Sequence, residues 1–530
     1  MNRITLSIAL FVLSALIGLS YGSPSPVAAN PPPGRALQPE AAATPARYNQ
    51  LRRSANWLVD TRGRVVILHG FNMVWKNAPY IPADNAAGFT ADDADWLAEH
   101  GFNAVRLGVL FAGVMPTRQK IDAAYLAKVD RIVRLLADRG IYVLLDFHQD
   151  LFAARYQGEG FPDWATQPVQ MDKLTHAGFP FNYFAAPVGD AFDRLWNNAD
   201  RLQDAYRDAW SAVAARWSAQ DHLMGYDLLN EPWPGTRWPL CAEAAGCARF
   251  EQVKLQALYT HVVDGIRGAD DHNIVWLEPQ VLFDFGAASH LGEEPVADRQ
   301  LGLSWHDYCL PKTVLQAAGL KGMPARCTAL EQHVFTNAGA ASARLGSASL
   351  MSEFGASDDT FDIARVAELA DQNAVGWMYW SYKDWGDPTT QANGTRAQGM
   401  FANDADLRSV KAQKLAALER PYPQAIAGVP LQYGYDAVGN TFTLLYSTRL
   451  ADGSGAAPAG LATAVYVPTL HYPGGYRVMI AGGHAVSAAN AAQLLIVADA
   501  DATQVSVRLS PETMRRAALR GATETAQIRE

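Results

Sequence analysis

The sequence predicts a (β/α)8 TIM barrel followed by a small C-terminal antiparallel β-sandwich, and three observations carry that expectation. Short apolar runs alternate with helix-period segments over residues 51–420, as parallel strands buried on both faces require. Two of these runs end abruptly in a carboxylate, at Asn230-Glu231-Pro232 and at Ser352-Glu353-Phe354. The carboxyl ends of barrel strands are where reactive side chains collect. Past Pro421-Tyr422-Pro423 the helical period disappears and short strands alternate with Gly, Pro and Asn turns, which is the pattern of a sandwich.

Taken in order, the chain begins with Asn2-Arg3, an apolar run over residues 4–19 and Ser20-Tyr21-Gly22. This reads as a signal peptide over residues 1–22, so a secreted protein, extracellular or periplasmic, is expected. An uncleaved anchor is the alternative, for which the run is short. Residues 23–50 are rich in Pro and Ala around Pro31-Pro32-Pro33 and read as a tether that buries no core. A hairpin at 58–64 opens the folded part. The strand candidates are then 65–70, 104–109, 142–146, 224–229, 274–277, 301–305, 349–352 and 376–379. Between them lie helical patterns at 91–100, 123–139, 199–217, 250–267, 331–345 and 362–372. A doubly wound open sheet competes, but it wants a Gly-rich phosphate loop after its first strand, and Gly70-Phe71-Asn72-Met73 supplies none. Residues 421–515 carry the sandwich strands, and 516–530 is a polar tail.

Composition narrows the function classes. Hydrophobic content of 49% and charged content of 18% are ordinary for a globular protein. A net charge of -9 argues against a nucleic-acid partner, and a monomer is expected. The cysteines Cys241, Cys247, Cys309 and Cys327 fit disulfides in an exported protein. Their proximity favours Cys241 with Cys247 and Cys309 with Cys327, although four cysteines allow three pairings. No C-x-x-C pair supports zinc, no nucleotide, haem or flavin motif is present, and neither a metal nor a cofactor is expected. Asp358, Asp359, Asp384 and Asp387 lack a cation-ligand spacing.

Lining up the strand ends gathers Arg106, His148, Asn230, Glu231, His306, Tyr308, Glu353 and Trp380. Singly, Arg106 also reads as a buried ion-pair partner, His306 as a core histidine and Trp380 as a core aromatic. Together, at one end of one strand set, they converge over a single mouth. Two carboxylates flanking a bond are what glycoside cleavage needs, one protonated and one ionised. Arg106 and Tyr308 beside Glu353 are expected to hold its pKa low, Asn230 to hold a sugar 2-hydroxyl, and Trp380 to offer the sugar ring an apolar face. Carboxyl groups about 5–5.5 Å apart would fit retention of configuration, and a gap beyond about 6.5 Å inversion.

The same set, Asn-Glu-Pro at 230–232, His306-x-Tyr308, Glu353 and Trp380, resembles glycoside hydrolase family 5 in the retaining clan of barrel enzymes. That resemblance implies Glu231 as acid/base, Glu353 as nucleophile, and Arg106, His148, Asn230, His306, Tyr308 and Trp380 as substrate-binding and supporting residues. A narrower likeness lies in His69-Gly70-Phe71-Asn72 with Lys76, and in Asp146-Phe147-His148-Gln149-Asp150 followed by Gly158, Gly160, Pro162 and Trp164. These resemble the endoglycoceramidases, which cut the glucose–ceramide bond of glycosphingolipids and release the intact glycan. The likeness implies a glycosphingolipid partner at a membrane or micelle surface, with Lys76 and Asp150 touching the glycan. The alternatives are a family 5 β-glucanase, a glucosylceramide or steryl-glucoside β-glucosidase, and a non-catalytic carbohydrate- or lipid-binding barrel. The last sits poorly with both carboxylates being present. Two long insertions hold Phe161, Trp164, Phe179, Phe181, Tyr183, Phe184, Trp233 and Trp238. They read either as a cover for something apolar or as a roof packed on itself. No basic amphipathic helix for membrane docking is evident.

Overall fold

The computed structural model describes residues 49–167, 179–309, 324–389 and 396–512. The expected signal peptide, nearly all of the tether and the polar tail lie outside the described residues.

Three short strands come first, β1 (Arg52–Ser54), β2 (Trp57–Val59) and β3 (Val65–Val66). The barrel follows as β4 (His69–Met73), β5 (Ala104–Gly108), β6 (Tyr142–Asp146), β7 (Leu223–Asp227), β8 (Val275–Leu277), β9 (Leu301–Asp307), β10 (Ala348–Gly355) and β11 (Gly376–Trp380). All eight pair in parallel, and β11 closes on β4. Helices Ala91–Glu99, Ala123–Ala137, Leu202–Trp217, Gln256–Arg267, Pro324–Leu345 and Thr360–Gln372 fall near the expected places. One connection gains a helix. Helix Ala186–Trp196 is an addition whose buried Val188, Ala191, Phe192 and Leu195 follow helical spacing. Between β8 and β9 the chain makes only a 3₁₀ turn, Val281–Phe285.

Side chains alternate across each strand. On β5, Val105 and Leu107 pack outward among the helices, which leaves Ala104 and Arg106 pointing into the barrel. Leu68, Ala104, Leu144, Met224, Trp276, Leu350 and Met378 fill the lower interior, and Leu51, Leu58 and Val66 plug its amino end. In β7 the register slips beside Gly225, whose φ is +118. A Cβ there would lie 1.9 Å from the Ile274 carbonyl oxygen, so this bulge requires glycine.

The C-terminal strands are β12 (Tyr422–Ile426), β13 (Val429–Asp436), β14 (Thr441–Ser447), β15 (Ala462–Tyr466), β16 (Tyr476–Ala481), β17 (Gly483–Ala485), β18 (Gln493–Ala498) and β19 (Gln504–Pro511). They form two antiparallel sheets, β13-β14-β19-β16 and the seven-stranded β1-β2-β3-β12-β15-β18-β17. The second sheet corrects an expectation. Residues 65–70 do not make one barrel strand: Val65 and Val66 pair with β12 of the sandwich, and the first barrel strand starts at His69. The apolar pair is strand-like but faces the sandwich core and the barrel plug rather than the barrel wall. Segment 52–66 therefore stitches the two parts together.

The seam is packed with aromatic rings. His69 stacks between Trp377 at 4.2 Å and Tyr422 at 3.7 Å, and burial, aided by Arg420, holds its pKa well below the ordinary imidazole value. Tyr422 donates to the Gly101 carbonyl at 2.7 Å, and Tyr466 donates to Glu419 at 2.8 Å. Cys241 is bonded to Cys247, and Cys309 to Cys327.

Replacing Tyr422 by Ala removes that stack and hydrogen bond together, and should cost about 3 kcal/mol in equilibrium denaturation. Barrel and sandwich should still unfold in one transition; a separate, earlier melting of the sandwich would contradict the stitching.

Candidate active site

Arg106 occupies the centre of the barrel mouth with no solvent exposure. Its Nε donates to Asp227 at 2.8 Å, Nη1 to Glu353 at 2.6 Å and Asn72 at 3.2 Å, and Nη2 to Asn230 at 2.9 Å and Glu278 at 2.8 Å. Asp146 lies 3.0 Å from Nη2. Burial alone would lower the guanidinium pKa, but Asp146, Asp227, Glu278 and Glu353 more than reverse this and keep it charged.

Glu353 is set by a register shift in β10 beside it. Its Oε1 accepts from Arg106 and its Oε2 from Tyr308 at 3.0 Å, so both oxygens face donors. The expected low pKa is corrected: burial pushes this carboxyl above its ordinary value, with His306 and Arg106 pulling back against it. The sequence shows the cation beside Glu353 but not the depth at which both are buried.

Glu231 follows β7 with a left-handed φ of +43, an uncommon conformation for a non-glycine residue. Its backbone is strapped from both sides. The N–H donates to Glu278 at 2.7 Å, and Gln149 Nε2 donates to the Asn230 and Glu231 carbonyls at 2.9 and 3.1 Å. The Glu231 side chain meets His306 Nδ1 at 2.9 Å, and the same nitrogen lies 3.6 Å from Glu353. Burial lowers the His306 pKa, but Glu353 and Glu278, with hydrogen bonds to Glu231 and Glu278, hold it well above the ordinary value. One oxygen of Glu231 and one of Glu353 lie within 4.8 Å of each other, in keeping with the close spacing of a retaining pair. Asn230 Oδ1 accepts from Arg106 and Nδ2 donates to the Gln149 carbonyl at 3.0 Å, which leaves one amide hydrogen for a substrate hydroxyl.

Beside this centre lies a second buried cluster. Lys76 Nζ donates to Asp150 at 2.5 Å and Thr389 at 2.8 Å, and lies 3.3 Å from Asp387 and 3.5 Å from Glu159. It also sits 4.6 Å from the centre of the Trp380 ring. Burial pushes Asp150 up, and Lys76 and His148 pull it well below the carboxylate range, while burial drives Glu159 well above it. Lys76 and Asp150 are thus a buried pair at the edge of the mouth. Trp380 lies parallel to His148 at 5.2 Å, and its Nε1 donates to Gln398 at 2.9 Å.

Among the described residues, two of the ligand sets with metal-like spacing lie at this mouth, Glu231-His306-Glu353 and His148-Asp150-Glu159. Neither suits a cation. In the first, the carboxylates around His306 raise its pKa well above the ordinary value, which works against the neutral imidazole a metal needs, and the Lys76 ammonium already sits among the carboxylates of the second.

All eight strand-end residues singled out in the sequence meet here, joined by Lys76 and Asp150. The motifs do not mark Asn72, Asp146, Asp227, Glu278, Glu159, Asp387 and Thr389 as site residues. Glu278 has a visible signal, because Leu277-Glu278-Pro279 repeats the strand-carboxylate-proline pattern of Glu231. The insertion aromatics pack on each other: Phe161 on Phe152 at 4.0 Å, Trp164 against Phe111 at 5.6 Å, Tyr183 against Trp233 at 5.2 Å and Phe184 against Trp238 at 4.6 Å. They form a roof.

A closed parallel barrel carrying paired carboxylates over its carboxyl end defines a barrel glycoside hydrolase. The comparisons with known proteins make this specific: the cellulase (glycosyl hydrolase family 5) model matches residues 59–386, and the family 5 C-terminal domain model matches 420–509. The chain belongs to glycoside hydrolase family 5. It is 34% identical over 454 residues to Endoglycoceramidase I of Rhodococcus hoagii (strain 103S), covering 85% of this chain and 86% of that protein. It is 28% identical over 458 residues to an endoglycoceramidase of Hydra vulgaris, covering 80% and 82%. The structure of endo-glycoceramidase II from Rhodococcus sp. superposes with a TM-score of 0.69 at 28% identity, covering 86% of this chain and 99% of that one. That protein has also been solved as a lactosyl-enzyme intermediate and with ganglioside GM3.

The charge on His148 gives a pH signature. Burial lowers its pKa, but Asp146 and Asp150 raise it from 6.5 to about 9. A raised folded pKa contributes stability in full below about pH 6.5 and loses it as the pH climbs through about 9. Urea denaturation from pH 6 to pH 10 should therefore show a loss across that window that His148→Asn flattens.

Proposed function

We propose that this chain is a secreted, retaining endo-β-glycosidase that hydrolyses the glucose–ceramide bond of glycosphingolipids, releasing intact oligosaccharide and ceramide. The observation that carries the chemistry is the approach of Glu231 and Glu353 to within 4.8 Å, with His306 touching the first and Arg106 and Tyr308 the second. The substrate class rests on the likeness to endoglycoceramidases over most of the chain. Export rests on the basic start and apolar run at residues 1–22.

In the first step Glu353 attacks the anomeric carbon of glucose, the bond to the ceramide oxygen breaks, and Glu231 gives that oxygen its proton. Ceramide leaves as the alcohol, and the glycan stays bonded to Glu353. In the second step Glu231 takes a proton from water, whose oxygen attacks the same carbon and displaces Glu353. His306 holds Glu231 toward the leaving oxygen, and Arg106 with Tyr308 keeps Glu353 aligned. The remaining Asn230 amide hydrogen serves the 2-hydroxyl. Lys76 and Asp150, beside Trp380, face the rest of the glycan.

Incubation with a ganglioside, followed by mass spectrometry, should yield free intact oligosaccharide plus ceramide; stepwise loss of terminal sugars would overturn the endo reading. Glu353→Gln should abolish turnover with binding kept. Glu231→Gln should lose at least about 100-fold on glycolipid yet retain cleavage of aryl glycosides with good leaving groups, since these need no acid in the first step.

A further inference from the structure

The loop that leaves β7 beyond Glu231 carries a surface unlike the rest of this acidic chain. Arg237, Arg249 and Lys254, with the buried Phe250 and the exposed Val253, line a groove of about 260 Å³. No carboxylate lines the groove. Among the described residues Arg237 and Arg249 make no ion pair, and the Lys254 ammonium donates to the neutral Asn197 amide at 2.8 Å. Next to this rim the chain exposes large apolar side chains, Leu240 at 70% and Val253 at 57%. Both are far more exposed than packing requires.

The local fold brings these groups to one face. Helical backbone runs without a break from Ala248 through a π turn at Glu251–Leu255 into Gln256–Arg267, so Arg249 and Val253, one turn apart, point the same way. Leu240 sits in the turn Trp238–Cys241, and the Cys241–Cys247 disulfide ties that turn to the helix start. Guanidinium groups bind phosphate oxygens in pairs, and apolar side chains between such cations favour the boundary between headgroups and acyl chains.

The position also matters, and here the inference rests on the proposed function. Glu231 is the residue that protonates the leaving oxygen, and the groove is built from the chain segment that follows it. Ceramide belongs to a bilayer, and a bilayer with acidic headgroups matches this rim in charge.

We propose that Arg237, Arg249 and Lys254, with the exposed Leu240 and Val253 beside them, dock the enzyme on anionic lipid bilayers, the cations on headgroup phosphates and the apolar pair in the interface. The seat is a groove at the barrel rim rather than an amphipathic helix.

The test is flotation of the full chain with glycolipid-free vesicles of phosphatidylcholine, with and without phosphatidylserine. Binding should require phosphatidylserine and weaken with salt. Arg237→Gln/Arg249→Gln should weaken it about 20-fold, and Leu240→Ser should weaken it without changing the salt dependence. Cleavage of a soluble aryl lactoside should stay at the wild-type rate in both variants, which verifies folding. Equal binding to neutral vesicles, no binding to either, or unchanged binding by the double variant would overturn the proposal. Because these vesicles hold no substrate, a failure of the glycosidase reading would show only in the product analysis and leave this readout intact.

Discussion

One buried guanidinium organises the barrel mouth. Arg106 reaches from β5 to Asn72 on β4, Asp146 on β6, Asp227 on β7, Glu278 after β8 and Glu353 on β10. Burying any one of these charges alone costs several kcal/mol; they are tolerable only together and only in this geometry. The arrangement needs a planar fork with donors in several directions, which a lysine ammonium cannot supply. His306 and His148 add positive charge at the edge of the same network, and burial next to Glu278 lifts Asp227 well above the carboxylate range, which lessens the excess of anions. Glu353 and the other carboxylates around Arg106 are thus held in place by the fold itself, as a preorganised site requires.

Strand ends are legible in the sequence where short apolar runs give way abruptly to polar side chains, and it is the recurrence of such ends along the chain that points to one barrel mouth. Glu231, Glu353, His306 and Tyr308 are all visible that way. Asp146, the last residue of β6, and Asp227, the last of β7, take their meaning only from Arg106, far away in the chain. The same holds for Lys76, whose partners Asp150, Glu159 and Asp387 are scattered over distant loops. Charge position is readable from sequence, whereas desolvation is not, and the direction of the Glu353 shift turns on desolvation.

The sandwich illustrates a related limit. Its later strands are visible from turn spacing, but the share contributed by residues 52–66 is hidden, since Val65 and Val66 read equally well as the start of a barrel strand. Their pairing with β12 closes the bottom of the barrel and puts His69 in the seam rather than in the mouth. The insertions likewise resolve into a roof, in which Tyr183 donates to Asp150 at 3.2 Å and so ties the aromatic layer to the polar cluster beside the site. A family 5 barrel here owes its precision at the mouth to buried charge, and its closure at the base to aromatic packing against a second domain.

The central claim is that Glu353 bonds covalently to the glycan while Glu231 moves protons. A 2-deoxy-2-fluoro β-lactoside with a dinitrophenolate leaving group tests it most directly, because fluorine slows release of the intermediate more than its formation is slowed with so good a leaving group. The account predicts that the intact protein gains the mass of one fluorinated lactosyl unit and that proteolysis places it on the peptide containing Glu353. An adduct on Glu231, or steady turnover with no adduct, would contradict it.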